Sequence, residues 1–205
     1  MMRQAFSVQR TAFTRAILGS MLLAIGVGGR MSKADEQGTT AAPKTFGSTA
    51  PQPVKAELIA EHTSIQISDP PRVKSQTRVG VCFEIEPGWH IYAENPGDAG
   101  LPTQIIWSGP GNATFGPLHW PLPEQFVDPG EIHTNGYTGK PLLYSTLTLA
   151  PSKLLGKEVP VYAKVKWLAC KEICVPGKTN LSLTLPVSAS PPQLSAHSEM
   201  FEHTN

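Results

Sequence analysis

Apolar and polar residues alternate through the middle of this chain. Val79, Val81, Phe83 and Ile85 alternate with Arg78, Gly80, Cys82, Glu84 and Glu86, the pattern of a strand with one buried face. The clearest stripe is Val159, Val161, Ala163, Val165 and Trp167, set against Tyr162, Lys164 and Lys166. Leu181, Leu183, Leu185 and Val187 form a closing strand, Leu142 to Leu149 alternates up to Pro151, and Thr103 to Trp107 is a further short strand. Ala56 to Ala60 and Ser64 to Ile67 bring the expectation to roughly seven short antiparallel strands. No stretch of ten residues carries helical apolar spacing, and there is no internal repeat. The 20 prolines and 18 glycines fall between the apolar runs, where turns belong. The predicted architecture is all-β, an immunoglobulin-like antiparallel β-sandwich.

The flanks read differently. Arg3, Arg10 and Arg15 precede a mostly apolar run from Ala16 to Gly29, and Ser32-Lys33-Ala34 offers small residues for cleavage; residues 1–34 are expected to be a signal peptide. Fourteen residues fall short of the ~20 that span a bilayer, so no stable membrane insertion of the mature chain is expected. Residues 35–54 are expected to be a disordered linker, residues 55–187 the β-sandwich domain, and residues 188–205 a flexible tail in which Met200 and Phe201 dock weakly at most. The formal charge of +1 hides an asymmetry: Arg3, Arg10, Arg15, Arg30 and Lys33 all precede Asp35, and without them 12 Lys+Arg face 16 Asp+Glu. No basic patch points to nucleic acid. An exported chain is expected in the periplasm, where disulfides persist.

Three cysteines remain for chemistry: Cys82, Cys170 and Cys174. Cys170 and Cys174 lie where the Val159–Trp167 strand ends and the Leu181–Val187 strand has not begun, in the turn region of a hairpin. A bridge there closes a very short loop, for which chain entropy gives about 2 kcal/mol, against roughly 4.6 kcal/mol for a loop of about 90 residues. Such a bridge contributes little stability, while its place in a loop suits attack by another thiolate. A redox pair and a structural staple both stand on this evidence. A bridge from Cys82 across the sheets is disfavoured by parity, since Cys82 shares the face of Arg78 and Glu84, and Cys170 shares that of Lys164 and Lys166. Cys82 is read as a lone, partly shielded thiol. Zinc or copper binding lacks support, because no histidine lies within twenty residues of the pair and His90, His119 and His133 are scattered. No cofactor is implied.

Four segments carry a family resemblance. Gly88-Trp-His-Ile-Tyr-Ala-Glu-Asn-Pro-Gly-Asp-Ala-Gly-Leu-Pro102, Gly116-Pro-Leu-His-Trp-Pro121, Gly136-Tyr-Thr-Gly-Lys140 and Trp167-Leu-Ala-Cys-Lys-Glu-Ile-Cys-Val-Pro176 together resemble the periplasmic N-terminal domain of DsbD-type thiol:disulfide interchange proteins. The three-residue spacing between the cysteines resembles the ScsB-like branch. The resemblance covers roughly Val54 to Val187 and implies an immunoglobulin-like fold with an inserted subregion that carries the cysteine pair. It implies electron relay: a membrane-embedded thiol carrier reduces the pair, which then reduces thioredoxin-like periplasmic proteins. On this basis Cys174 exchanges with partners and Cys170 resolves. A flexible cap loop with an aromatic residue shields the pair in the family, and Tyr137 stands at the matching place; the alternative is a turn residue packed on the sandwich edge. Tyr92 and Trp167 are expected as site-wall or core aromatics. The 205 residues contain neither a multi-helix membrane domain nor a thioredoxin-like domain, so the electron donor is expected to be a separate polypeptide.

Overall fold

The computed structural model describes residues 52–67, 74–128, 130–150 and 153–204. The expected signal peptide, and the linker up to residue 51, lie outside the described residues. In chain order the strands are β1 (Val54–Ala60), β2 (Ile65–Gln66), β3 (Ser75–Ile85), β4 (His90–Gly97), β5 (Gln104–Ser108), β6 (Ala113–Phe115), β7 (Glu124–Asp128), β8 (Ile132–Tyr137), β9 (Leu142–Leu149), β10 (Glu158–Cys170) and β11 (Cys174–Ser188). One short helix, α1 (Ser198–Glu202), follows.

Two sheets face each other, as the alternation predicts. One has the order β1-β3-β9-β6; the other runs β2-β11-β10-β4-β8-β7, with β5 paired to β10 off that path. All pairings are antiparallel except β2 with β11. Because side chains alternate across a strand, one set of residues from each sheet fills the gap between them. Val79, Val81 and Phe83 of β3 meet Val159, Val161, Ala163 and Val165 of β10 in one buried cluster. Phe83 and Trp167 meet edge to face with centroids 5.8 Å apart, a geometry favoured by the ring quadrupoles.

The observed strands include every one expected from alternation, but β4, β6, β7 and β8 were not foreseen as strands. Their sequences are short or polar, and they gain order from neighbours rather than from a stripe of their own. The register of β4 and β8 shifts between Tyr92 and Gly97, so β4 bends as it leaves the sheet.

The expected flexible tail is corrected by the structure. Phe201 on α1 is fully buried against Ile59, Leu142 and Tyr144 on the outer face of the β1-β3-β9 sheet. Ser195 Oγ donates to the Ala60 carbonyl at 2.6 Å, and Arg78 clamps the helix. The Arg78 guanidinium donates to both carboxylate oxygens of Glu61 at 2.9 and 2.6 Å, to the Phe201 carbonyl at 2.9 Å, and to Glu202. It also lies 5.7 and 5.6 Å from the Tyr144 and Phe201 ring centroids, within cation–π range. The physical reason is an apolar patch on the outside of the sheet that needs a cover, which one aromatic residue in a polar run supplies. The expected linker also ends one residue early, since Val54 is buried as the first residue of β1.

Candidate active site

β10 and β11 form a long hairpin in register from Glu158↔Pro186 to Cys170↔Cys174. The two cysteines are its last rung and are joined as a disulfide, with Cα atoms 4.2 Å apart. Lys171 N donates to the Ile173 carbonyl at 3.2 Å, tightening the turn. The placement follows from the sequence: the Val159–Trp167 stripe extends two residues further, Lys171-Glu172-Ile173 reverses the chain, and Cys174 opens the return strand. Cys82 is a free thiol. It sits half-buried beside the cluster that Phe201 covers, and burial, followed by the nearby Glu57 carboxylate, pushes its pKa up. It lies on β3 in the other sheet, paired with Glu57 and Leu142.

The disulfide has two unlike sulfurs. Cys170 is 3% exposed, whereas Cys174 is exposed. By parity Cys170 lies on the outer face with Lys164 and Lys166, as expected, yet it is buried. The cause is β4, which joins β10 on the edge away from β11 through Ala169↔Ile91 and Cys170↔His90. His90 therefore stands directly across from Cys170, and Tyr92 is the next residue on that face.

The surroundings are aromatic. The His90 ring is stacked on Phe126 of β7 at 4.4 Å and 13°, and meets Tyr92 edge-on at 5.1 Å. The Tyr92 hydroxyl is 3.9 Å from Cys174 Sγ, at the long limit of a sulfur hydrogen bond. Tyr92 is 3% exposed. Its carbonyl accepts from Thr103 Oγ1 at 3.0 Å, and the loop after β4 crosses its ring at Gly100. A Cβ at Gly100 would come within 2.3 Å of Tyr92 Cε1, and its φ is +100°; only glycine suits that crossing. Gly136 of β8 has the same role toward the backbone of β4, since a Cβ there would approach the Ile91 carbonyl to 2.2 Å and the Phe126 ring to 3.5 Å. That bare position leaves room for Phe126 above His90.

Of the aromatics singled out in the sequence, Tyr92 lines the pair, while Trp167 and Tyr137 face the core. Trp167 belongs to the buried cluster between the sheets. The expectation for Tyr137 is corrected. It pairs with Ile91 across β8 and β4, is 4% exposed and donates from its hydroxyl to the Pro121 carbonyl at 3.0 Å. Burial, and secondarily Glu94, raise its pKa to about 12. Period-two parity turns Tyr137 and Gly136 to opposite faces, so the aromatic over the cysteine side of the sheet is Phe126. His90 and Phe126 were thus missed. His90 was legible, because the alternation His90-Ile91-Tyr92 puts it on the face of Tyr92. Phe126 carried no local signal, being one aromatic in a polar strand.

A β-sandwich whose longest hairpin ends in a half-exposed disulfide, walled by aromatic side chains, defines a domain built for sulfur chemistry. The family model described as "Thiol:disulfide interchange protein DsbD, N-terminal" matches residues 55–186, and the chain belongs to that family. No curated protein matches it. Among solved structures it is similar to the N-terminal periplasmic domain of ScsB from Proteus mirabilis, with 19% identity and a TM-score of 0.48 over 75% of this chain and 52% of that one. The chain thus spans about half the length of that ScsB domain. It is also similar to the reduced N-terminal domain of Neisseria meningitidis DsbD, with 14% identity and a TM-score of 0.33 over 67% of this chain and 90% of that one. A third similarity is to a complex of the DsbD and PilB N-terminal domains from the same species, with 15% identity and a TM-score of 0.30 over 61% and 80%. Family membership and the closed Cys170–Cys174 pair support thiol–disulfide exchange as the general chemistry. No helix among the described residues is long and apolar enough to cross a membrane.

Proposed function

We propose that the protein is a periplasmic protein-disulfide reductase that relays two electrons from a separate membrane-embedded thiol carrier to thioredoxin-like proteins. The observation that carries this reading is the asymmetry of the disulfide: Cys174 is open to solvent and Cys170 is shut in by β4. Thiol exchange is an in-line attack of a thiolate on one sulfur of a disulfide, so access decides which sulfur reacts. In the reduced protein, the Cys174 thiolate attacks the disulfide of an oxidised partner and one partner sulfur leaves as thiolate. The Cys170 thiolate then attacks Cys174 Sγ, re-forming the intramolecular disulfide and releasing the second partner thiolate. The pair loses two electrons and the partner disulfide gains them. The carrier resets the pair by the reverse sequence, its own dithiol becoming a disulfide.

The neighbours suit these steps. The Tyr92 hydroxyl is placed to donate to a Cys174 thiolate, which lowers the cost of forming it. Phe126, stacked on His90, is the cap aromatic in place of Tyr137, limiting access to Cys170. The competing reading is a binding module in which the disulfide only holds the hairpin tip.

Cys170→Ala separates the two. The variant is expected to accumulate a mixed disulfide through Cys174 when mixed with an oxidised thioredoxin-like protein, visible as a thiol-sensitive band on a non-reducing gel. Cys174→Ala should trap far less. A wild-type disulfide that stays closed in glutathione and thioredoxin buffers, together with no trapping by Cys170→Ala, would reject the relay.

A further inference from the structure

The outer face of the β10–β11 hairpin reads as a ladder leading away from the disulfide. Behind the Cys170–Cys174 rung comes Leu168 opposite Pro176, and then Lys166 opposite Lys178. A cleft of about 440 Å³ is lined by these last two rungs and by the Trp167–Gly177 rung between them, and walled on its other side by Leu101, Pro102 and Gln104. That wall is the loop that crosses Tyr92 at Gly100, so the cleft and the disulfide share one support. At about 3.4 Å per residue, the apolar rung lies about 7 Å from the disulfide and the lysine rung about 14 Å.

Two features mark this surface as a docking site. Leu101 on the cleft wall is 65% exposed and Ile173, beside Cys174, is 61% exposed, so one apolar side chain stands in water next to the reactive sulfur and another at the cleft. Lys166 and Lys178 are also directly opposed, an arrangement of like charges that costs stability. Among the described residues neither is in an ion pair. Lys164 and Lys171 extend the positive charge, with Glu172 in the turn the only nearby carboxylate of the hairpin tip. The rest of the exported chain is net acidic, so this basic strip stands out.

Resting on the exchange reading, we infer that the cleft receives the surface of a disulfide-bearing partner that is apolar about 7 Å and acidic about 14 Å from the partner's reactive sulfur. Apolar contact seats the partner, and the lysine pair steers and orients carboxylates so that its disulfide meets Cys174.

The test uses the reduced full chain and two synthetic peptides, each with one cysteine held as a mixed disulfide with glutathione. Both have leucine two residues from the cysteine; one has glutamates at four and five residues, the other lysines. Cys174 displaces glutathione from the peptide, and Cys170 then releases the peptide thiol. The acidic peptide is expected to react on the order of tenfold faster at low ionic strength, with the difference vanishing at 0.5 M salt as screening sets in. Lys166→Glu/Lys178→Glu should reverse the preference, and Lys166→Gln/Lys178→Gln should abolish it; both positions are exposed, so the fold is unaffected. Leu101→Ser should slow both peptides equally. Equal rates for the two peptides, with normal oxidation by glutathione disulfide, would overturn the cleft assignment alone. Failure of glutathione disulfide to oxidise the pair would overturn the exchange reading beneath it.

Discussion

Tyr137 offers a test in which a cap residue and a core residue behave oppositely. The perturbation is Tyr137→Phe, which removes one hydroxyl and leaves the ring. Tyr137 is 4% exposed and its hydroxyl donates to the Pro121 carbonyl; burial raises its pKa from 10.0 to about 12. A phenol whose folded-state pKa is raised holds its proton more tightly in the native state. Its contribution is therefore fully present below pH ~10 and is lost as pH rises through about 12. Two units at ~1.4 kcal/mol each amount to roughly 2–3 kcal/mol across that window, with about 1.4 kcal/mol lost by pH 11. Urea unfolding of wild type and Tyr137→Phe from pH 8 to 12 reads this out. At pH 8 the variant should be less stable by about 1 kcal/mol for the lost hydrogen bond. By pH 11 the order should reverse or close, because only the wild type has a phenol that ionises in the unfolded chain while its burial keeps it protonated in the native state. With m near 1–3 kcal/mol/M, the relative midpoint shift is ~0.5–1 M. The variant's rate of reduction by dithiothreitol should match wild type. Parallel stability curves over the whole range, or a faster reduction of the variant, would return Tyr137 to the role of a solvent-facing cap.

Two further changes probe the supports of the site and of the tail. Gly100→Ala brings a Cβ to 2.3 Å from the Tyr92 ring at φ +100°, whereas Gly130→Ala at φ +91° meets nothing within 4 Å. Both should lose about 1–3 kcal/mol to backbone strain, but Gly100→Ala should lose ~1–3 kcal/mol more from overlap and alter Cys174 reactivity toward glutathione; equal behaviour of the two would deny that the loop positions Tyr92. Arg78→Ala strands the carboxylate of Glu61 and releases α1. A fully buried pair would cost ~3–5 kcal/mol; with the Arg78 side chain 23% exposed, about 2–3 kcal/mol is expected at pH 7. Hydrogen bonding to Arg78 lowers the Glu61 pKa, so the stabilisation holds above about pH 4.5 and fades as pH falls through the lowered value, closing the gap between wild type and variant in acid. A gap that persists unchanged at pH 2, or exchange protection of residues 198–202 that survives the substitution, would contradict the clamp.

The long hairpin was determined by the sequence itself. Alternation of Val159 to Trp167, a polar reversal and the return stripe to Val187 are local, and they put Cys170 and Cys174 at the turn end of that hairpin; the continued register of the hairpin makes them one rung. Their parity on the outer face was equally local, as was the place of Cys82 on the far side of its own sheet. Tertiary structure alone decided how exposed each sulfur is, because the burial of Cys170 comes from β4, some eighty residues earlier in the chain. It also decided which aromatic covers that side: β7 and β8 have no stripe, so only their pairing, with a one-residue difference in parity, sends Tyr137 inward and leaves Phe126 over His90. The docked tail belongs to the same class. Phe201 is buried in an otherwise polar segment, and it becomes a core residue only because Ile59 of β1 and Leu142 and Tyr144 of β9 assemble a surface for it from two separate strands. Local pattern encodes which face a residue takes, and contacts between distant segments determine what that face meets.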